Sequence, residues 1–477
     1  MFAYDSDPIC ACSTPAGISG IAVIRVSGDG CALNIDKCAR IVRAADEAGS
    51  VSELKGYTCG FGKLINPQTG SVVDEVIITR FVNPHSYTGE DMVEISCHGS
   101  AAVKQEIIRI LGMCGIRLAY PGEFSRRAFI NGKMSLASAE AVMDVINADS
   151  ERQLKAAGSL MSGALADKIS SLEDELYKAM ALIEMLVEFD HDDDDTDEEI
   201  KDADKVSEIL KEQHKVLSDL VDGYDKGRIL SERMRVALIG LPNSGKSTLL
   251  NTLTGFDRAI VTEVAGTTRD TIEVALNVDG IPVTLIDTAG LRKTDDFVES
   301  IGIGRAMDAG RNADLVFYVI SPDLDIEEAQ EGIRELAEDI GGEFITAVFS
   351  KSDEGDNPAR EEIEEVLRSY GIDSFISVSA EEGINIDKLE NVIRDYYDSL
   401  GGRQEEGLLI TNARHYNKLD KALGYLEMSI QAMTDLKGVE VCSSTLRSCL
   451  DEIGEVTGKT VSAQLADTIF SRFCIGK

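Results

Sequence analysis

Residues 235 to 247 read Arg-Val-Ala-Leu-Ile-Gly-Leu-Pro-Asn-Ser-Gly-Lys-Ser, and the fold follows from this stretch. Val236 to Ile239 is a short apolar run of the kind a strand buried on both faces requires, and helical periodicity follows Ser247. Between them stands GxxxxGKS, Gly240 to Ser247, in the strand-to-helix context that the motif demands. Backbone N–H groups in Asn243, Ser244, Gly245, Lys246, Ser247 and Thr248 can cradle phosphates at a helix N-terminus. Lys246 can reach the β/γ oxygens, and the Ser247 hydroxyl can ligate Mg²⁺. This predicts a nucleotide-binding α/β domain.

Strand-like runs continue at Thr271 to Val278, Val283 to Asp287, Leu315 to Ile320, Ile345 to Phe349 and Phe375 to Val378, with Asp279-Gly280 as a hairpin signal. Asp287-Thr288-Ala289-Gly290 closes the third of these strands. It offers a carboxylate for the metal's outer sphere and a glycine amide for the γ-phosphate. Thr267 and Thr268, in AGTTRD, sit where a switch segment would put a hydroxyl on Mg²⁺. After the next-to-last strand comes Ser350-Lys351-Ser352-Asp353, and after the last comes Ser379-Ala380. A carboxylate at Asp353 accepts from both the N1–H and the 2-amino group of guanine, so the nucleotide is expected to be GTP. The usual motif is Asn-Lys-x-Asp; a serine at 350 has shorter reach and one fewer donor. Guanine selectivity is expected to survive, with affinity the quantity at stake.

Ras-like enzymes orient the attacking water with a Gln after DTAG, and here that position is the apolar Leu291. Glu299, in DDFVESIG, is a candidate to act instead, against the plainer reading of an exposed glutamate at a helix start.

Outside the nucleotide domain the pattern changes twice. The first 120 residues alternate strand-like runs (GIAVIRVSG, DEVIITRFV, DMVEISCHG) with turn residues and one amphipathic helix over Ala101 to Cys114, which predicts an α+β domain. From Glu123 the spacing is helical (Leu172, Leu176, Ala179, Ile183, Leu186), and it becomes helical again after Gly401-Gly402 (Leu419, Leu423, Leu426, Leu446, Leu450, Ile453). The economical packing joins these stretches into one discontinuous helical bundle with a Ras-like P-loop domain inserted. The expected division is 1–120, 121–221, 222–402 and 403–477. Glu188 to Asp204 holds 11 acidic residues and one Lys, and reads as a solvated turn.

The chain of 477 residues carries a formal net charge of −37. Residues 1–133 and 403–477 each stand at −1, so −35 falls on 134–402. Strong acidity argues against a protein that coats nucleic acid by itself. No run approaches the ~18 apolar residues of a membrane helix, and MFAYDSDPIC lacks the pattern of a signal peptide, so a cytoplasmic protein with no membrane partner is expected. The 10 Cys include no CxxC pair and read as reduced thiols.

The nucleotide motifs, the flanking bundle, SYTGEDMVEISCHG at 86–99, RLAYPGEFSRRAFINGK at 117–133, DTAGLRKTDDFVESIGIGRA at 287–306 and the closing Cys474-Ile-Gly-Lys477 together resemble the MnmE (TrmE) family of tRNA wobble-uridine modification GTPases. The resemblance runs the full length. It implies an N-terminal domain that dimerises and binds a folate, a helical domain from two chain segments, and an inserted G domain. It further implies that Thr262, Glu263, Val264, Ala265 and Gly266 join Thr267 and Thr268 around GTP. K⁺ would touch Asn243, Thr262, Val264 and Thr267, while Ser247 and Thr268 take Mg²⁺. K⁺ would offset developing phosphate charge without an arginine supplied in trans.

Glu299 matches the family's catalytic glutamate, and Cys474 a cysteine required for modification. The folate site carries over onto Arg25, Glu94, Lys133 and Lys477, for a tetrahydrofolate derivative (5-formyl-tetrahydrofolate as analogue of the 5,10-methylene form). The sequence departs from the family at Ser100 and Ser135, where Gly and Asp are usual.

By resemblance the chain would be a homodimer that forms a heterotetramer with an MnmG (GidA) family flavoprotein. The pair would add a (carboxymethyl)aminomethyl group to C5 of the tRNA wobble uridine. The partner would supply FAD, since this chain has a P-loop but no GxGxxG after a strand, and would supply most of the tRNA affinity. The alternative, a non-enzymatic GTP switch for ribosome or RNA assembly, leaves Arg25, Glu94, Lys133 and the terminal CIGK without a role.

Overall fold

A computed structural model of the chain describes residues 6–189, 196–258, 272–287, 307–355, 357–400, 408–434, 438–460, 462–471, 473, 475 and 476. The chain forms two compact units, Met1–Met143 with Leu160–Ile209 and Met428–Lys477, and Asp144–Ser159 with Leu210–Glu427.

The first unit is built on a seven-stranded sheet. Its strands are β1 (Ile9–Cys12), β2 (Ser19–Ser27), β3 (Ala39–Ala44), β4 (Thr58–Ile65), β5 (Val72–Phe81), β6 (Met92–Gly99) and β7 (Arg117–Leu118), in the order β3-β4-β5-β6-β2-β1-β7. Neighbours are antiparallel except β1 and β7. Alternation in β2 drives Ala22, Ile24 and Val26 into the core with Ile107, Ile110 and Leu111 of the Ala101–Met113 helix. Arg25 therefore falls on the opposite face. Ser100 caps that helix, its Oγ accepting from Val103 N at 3.2 Å.

In the same unit the helices Ala164–Phe189 and Val439–Thr457 pack side by side. The helical spacing read from the sequence is the buried stripe: Leu172, Leu176, Ala179 and Ile183 face inward, as do Leu446, Leu450 and Ile453. Two distant segments thus share one helical layer. The acidic run corrects one expectation. It is not all turn, because a helix begins at Thr196 and continues to Asp222.

The second unit holds a six-stranded sheet: β8 (Met234–Ile239), β9 (Ile272–Val278), β10 (Ile281–Asp287), β11 (Leu315–Ile320), β12 (Ile345–Phe349) and β13 (Ser374–Ser377), in the order β13-β12-β11-β8-β10-β9. All pairs are parallel except the β9–β10 hairpin. Its turn residues Asp279 (φ 49°) and Gly280 (φ 85°) are both left-handed, as a tight two-residue hairpin requires. β8 lies inside the sheet with both faces covered. Val236 and Leu238 pack in one core with Leu249 and Leu253, while Ala237 and Ile239 pack in another with Leu336 and Phe349. That two-sided burial is why VALI is continuous rather than alternating.

Candidate functional site

Four chain segments leave the C-terminal ends of parallel strands in the second unit: the phosphate loop after β8, Asp287 at the end of β10, Ser350 to Asp353 after β12, and Ser379-Ala380 after β13. Ligands of open α/β sheets bind at this edge.

The loop is shaped by close approach. Gly240 sits so near β11 that a Cβ would lie 2.3 Å from the Val319 carbonyl oxygen. Asn243 (φ 64°) and Gly245 (φ 95°) are left-handed, the kind of backbone that turns successive N–H groups into a concave anion nest. Asn243, Ser247 and Thr248 are exposed, and Lys246 is 4% exposed. The ammonium Nζ donates to the carbonyls of Gly240 at 2.8 Å and Leu241 at 2.6 Å and lies 3.4 Å from Ser244 Oγ. Burial lowers its pKa from the ordinary lysine value, and the nearby Asp287 carboxylate partly opposes that. Ser247 Oγ donates to Asp287 Oδ2 at 3.1 Å. A hydroxyl and a carboxylate converging beside a buried cation fit a Mg²⁺–phosphate group: Ser247 would ligate the metal and Asp287 would hold it from the outer sphere.

The base-side loops are pinned to this edge. Ser350 Oγ lies 2.7 Å from the Ser244 carbonyl and 3.1 Å from that of Ile320. Lys351 is left-handed (φ 53°). Asp353 is exposed. Ser379 is fully buried, its N–H and carbonyl exchanging bonds with Ile384, and Thr252 Oγ1 on the phosphate-loop helix donates to the Ala380 carbonyl at 2.9 Å. Thr262, Glu263, Val264, Ala265, Gly266, Thr267, Thr268, Thr288, Ala289, Gly290, Leu291 and Glu299 lie outside the described residues, as do Cys474 and Lys477.

In the first unit a cavity of about 350 Å³ is lined by Arg25, Tyr57, Phe81, His85, Ser86, Tyr87, Met92, Glu94 and Lys133. Three residues selected from sequence thus meet in one place. Cross-strand register puts Arg25 opposite Glu94, and Nε and Nη2 donate to Glu94 Oε1 at 3.0 and 2.9 Å. Arg25 Nη1 is buried with no hydrogen-bond partner among the described residues. The guanidinium carbon stands 4.9 Å from the centre of the Tyr87 ring. Lys133 is exposed at the rim, held by its backbone N–H to the Ala128 carbonyl at 2.8 Å. The volume, the aromatic wall and the few polar groups match what a heterocyclic ligand of drug size requires, and the orphaned guanidinium N–H fits a polar oxygen.

The aromatic wall was missed in the sequence; Tyr57, Phe81 and Tyr87 come from separate segments, and only the SYTGED block hinted at Tyr87. Also missed was the support behind it. Arg127, 1% exposed, donates to Glu90 Oε2 at 3.1 Å and Glu123 Oε1 at 3.0 Å, and Arg117 donates to Glu123 at 2.6 and 2.8 Å. Ser27 Oγ donates to Glu90 Oε2 at 2.7 Å. Burial raises the Glu90 pKa against the pull of Arg127. For Glu123 burial also pushes up, but Arg117, the Tyr120 N–H and Arg127 outweigh it and the net shift is down.

The model of the MnmE helical domain matches residues 136–474, and that of the GTP-binding protein TrmE N-terminus matches 8–133. The chain belongs to the MnmE family. The tRNA modification GTPase MnmE of Acetivibrio thermocellus is 37% identical over 99% of this chain and 100% of its own length. That of Carboxydothermus hydrogenoformans is 38% identical over 99% of each. Among solved structures, the G domain of the T. maritima FeoB iron transporter is 26% identical, covering 34% of this chain and 98% of its own, with a TM-score of 0.27. The MnmE relatives carry the family assignment, and the two matched family models together cover both the strand-rich N-terminal segment and the helical segments around the nucleotide edge. Among the described residues no helix is long and apolar enough to cross a membrane, and no cluster of His, Cys, Asp and Glu could hold a metal by itself.

Proposed function

We propose that this chain is a K⁺-activated, Mg²⁺-dependent GTPase that acts in the cytoplasm on the wobble uridine of tRNA. It works as a homodimer joined to an FAD-carrying partner of the MnmG family. The observation that carries the reading is the occurrence in one chain of two sites: a phosphate loop with Lys246, Ser247 and Asp287 in register, and the cavity in which Arg25, Glu94 and Lys133 converge. A nucleotide switch for assembly would give that cavity no role.

On this reading Asp353 reads guanine, the loop Asn243 to Thr248 cradles the phosphates, and Lys246 neutralises them. Thr268 completes the Mg²⁺ site, K⁺ is shared by Asn243, Thr262, Val264 and Thr267, and Glu299 positions water. The cavity binds a tetrahydrofolate derivative, with Lys477 closing it and Cys474 near. Bound folate would supply a one-carbon unit and the partner's flavin the redox chemistry. This chain's residues orient the folate: Glu94 accepts from ring N–H groups, and Arg25 and Lys133 meet its oxygens. GTP hydrolysis gates association of the G domains. The domains divide at 1–120, 121–221, 222–402 and 403–477.

The test is GTP turnover in K⁺ against Na⁺ at equal ionic strength, alongside titration with 5-formyl-tetrahydrofolate. Faster turnover in K⁺ and saturable folate binding are expected. Equal rates would remove the K⁺ assignment, and absent binding the folate assignment.

A further inference from the structure

We propose that Arg233 and Asp149 form a buried latch that couples the nucleotide edge, through the β9–β10 hairpin, to the helix Glu151–Met161. The inference rests on the reading of this edge as a guanine nucleotide site and adds to it two residues that touch no part of the nucleotide.

Arg233 stands alone between the helix Tyr224–Glu232 and β8, its backbone N–H closing the helix on the Ile229 carbonyl at 2.9 Å. Its backbone is left-handed, with φ 71° and ψ 145°. Glycine takes this region readily and a residue with a side chain seldom does. An arginine kept there is held by what its side chain meets. Nη1 donates to the carbonyls of Leu276 at 3.4 Å and Val283 at 3.3 Å, two residues that face each other across the β9–β10 hairpin. Nη2 pairs with Asp149 Oδ2, and both side chains are mostly buried.

Asp149 lies in the turn that opens the helix Glu151–Met161. Its backbone N–H donates to Gln153 Oε1 at 2.9 Å, and Gln153 Nε2 donates to the Leu230 carbonyl at 2.7 Å, so the turn is fixed to the helix end from which Arg233 departs. The second oxygen, Asp149 Oδ1, is buried with no hydrogen-bond partner among the described residues. The carboxylate therefore relies on Arg233 for compensation, and parting the two would strand a buried charge. The hairpin meets the same turn a second time: a Cβ at Gly280 would stand 3.1 Å from Arg152 Cγ.

The far end of β10 lies at the nucleotide edge. The strand pairs with β8 from Val283, opposite Met234, to Asp287, opposite Leu238, and with β9 on its other side. From Val283 to Asp287 is about 13 Å of extended chain. Asp287 accepts from Ser247, so a Mg²⁺–phosphate group that engages Ser247 acts directly on the end of this strand. A strand bonded along both sides moves as a unit. Restraint at Asp287 reaches Val283, and Arg233 passes it to Asp149 and the helix behind.

Amide hydrogen exchange of the full-length protein, with and without Mg²⁺ and the non-hydrolysable GTP analogue guanylyl imidodiphosphate, reads this coupling. In the parent the analogue should slow exchange in the phosphate loop and also in residues 151–161, there by about 5-fold or more. Arg233→Gly suits the left-handed backbone and Asp149→Asn is nearly isosteric, so the two variants do not share one risk of misfolding. Each should keep the slowing in the phosphate loop and lose it in 151–161. The double variant should lose no more than Arg233→Gly, since both changes act on one pair. A merely structural role would speed exchange equally with and without the analogue and leave the ratio in 151–161 intact, which would overturn the latch. So would a parent in which the analogue slows the phosphate loop but not 151–161. A parent whose phosphate loop does not respond at all would remove the nucleotide reading itself, and the latch with it.

Discussion

Arg25 and Glu94 face each other across β2 and β6, and two guanidinium donors, Nε at 3.0 Å and Nη2 at 2.9 Å, converge on the single oxygen Glu94 Oε1. Arg25 Nη1 is buried with no hydrogen-bond partner among the described residues. Both residues line the cavity, so the pair offers it an acceptor and a donor side by side. Glu94→Gln should lower affinity for 5-formyl-tetrahydrofolate by roughly 10-fold or more, since it replaces a charged acceptor. Calorimetric titration of the full chain checks this, and the GTP affinity of the same variant should be unchanged because that site belongs to the other unit.

On the proposed function, Asp353 sets the identity of the base by accepting from N1–H and the 2-amino group. Asp353→Asn should weaken GTP binding by roughly 10- to 100-fold and improve XTP binding, because the amide donates where the carboxylate accepted. Competition of GTP and XTP for a fluorescent nucleotide measures the exchange. A variant that still prefers GTP would relocate base recognition.

Burial holds the Lys246 ammonium below the ordinary lysine pKa in the free protein. A bound phosphate favours the charged form and raises that pKa, so binding takes up a proton between the two values. Affinity is then full below the free-state pKa and falls as pH rises through it. Nucleotide titrations from neutral to alkaline pH should show the decline, with calorimetry in two buffers of different ionisation heat reporting proton uptake on the alkaline side.

Arg127 is the cation beneath the cavity wall, shared by Glu90 and Glu123. Arg127→Ala would leave two buried carboxylates short of a partner and should cost about 3–5 kcal/mol of stability. Denaturant unfolding of the full chain, followed by a probe in the N-terminal unit, measures it. A change below about 1 kcal/mol would show that Arg117 alone satisfies Glu123.

The parts of the fold legible in the sequence were those dictated by short-range pattern. β11 and β12 coincide with the expected runs because both faces of each strand are buried and every residue but Thr346 is apolar or aromatic. β8 begins two residues earlier than the hydrophobic run, since Met234 and Arg235 already pair with Val283 and Thr284 and a charged side chain on a strand hides its membership. β4 was not legible: its Gly60 and Gly62 disfavour a strand locally. Its pairing is a tertiary matter, with a Cβ at Gly62 falling 2.7 Å from the Arg40 carbonyl.

In the sites, phosphate and guanine chemistry could be read from spacing, because each motif is continuous in the chain. Arg25, Glu94 and Lys133 could be grouped only through the family resemblance. The aromatic wall and the Arg127 network could not be assembled from spacing, because most of their members join only when β5, β6 and the Glu123–Ile130 helix come together. For Arg127 the available signal was its i,i+4 spacing from Glu123, which usually marks a surface pair.

The most direct test of the account is nucleoside mass spectrometry of tRNA from cells with and without this gene. The account predicts that the C5-aminomethyl-type modification of the wobble uridine disappears without the gene and returns with the intact chain, but not with Glu94→Gln or Asp353→Asn. Wobble uridines unchanged by deletion would contradict it.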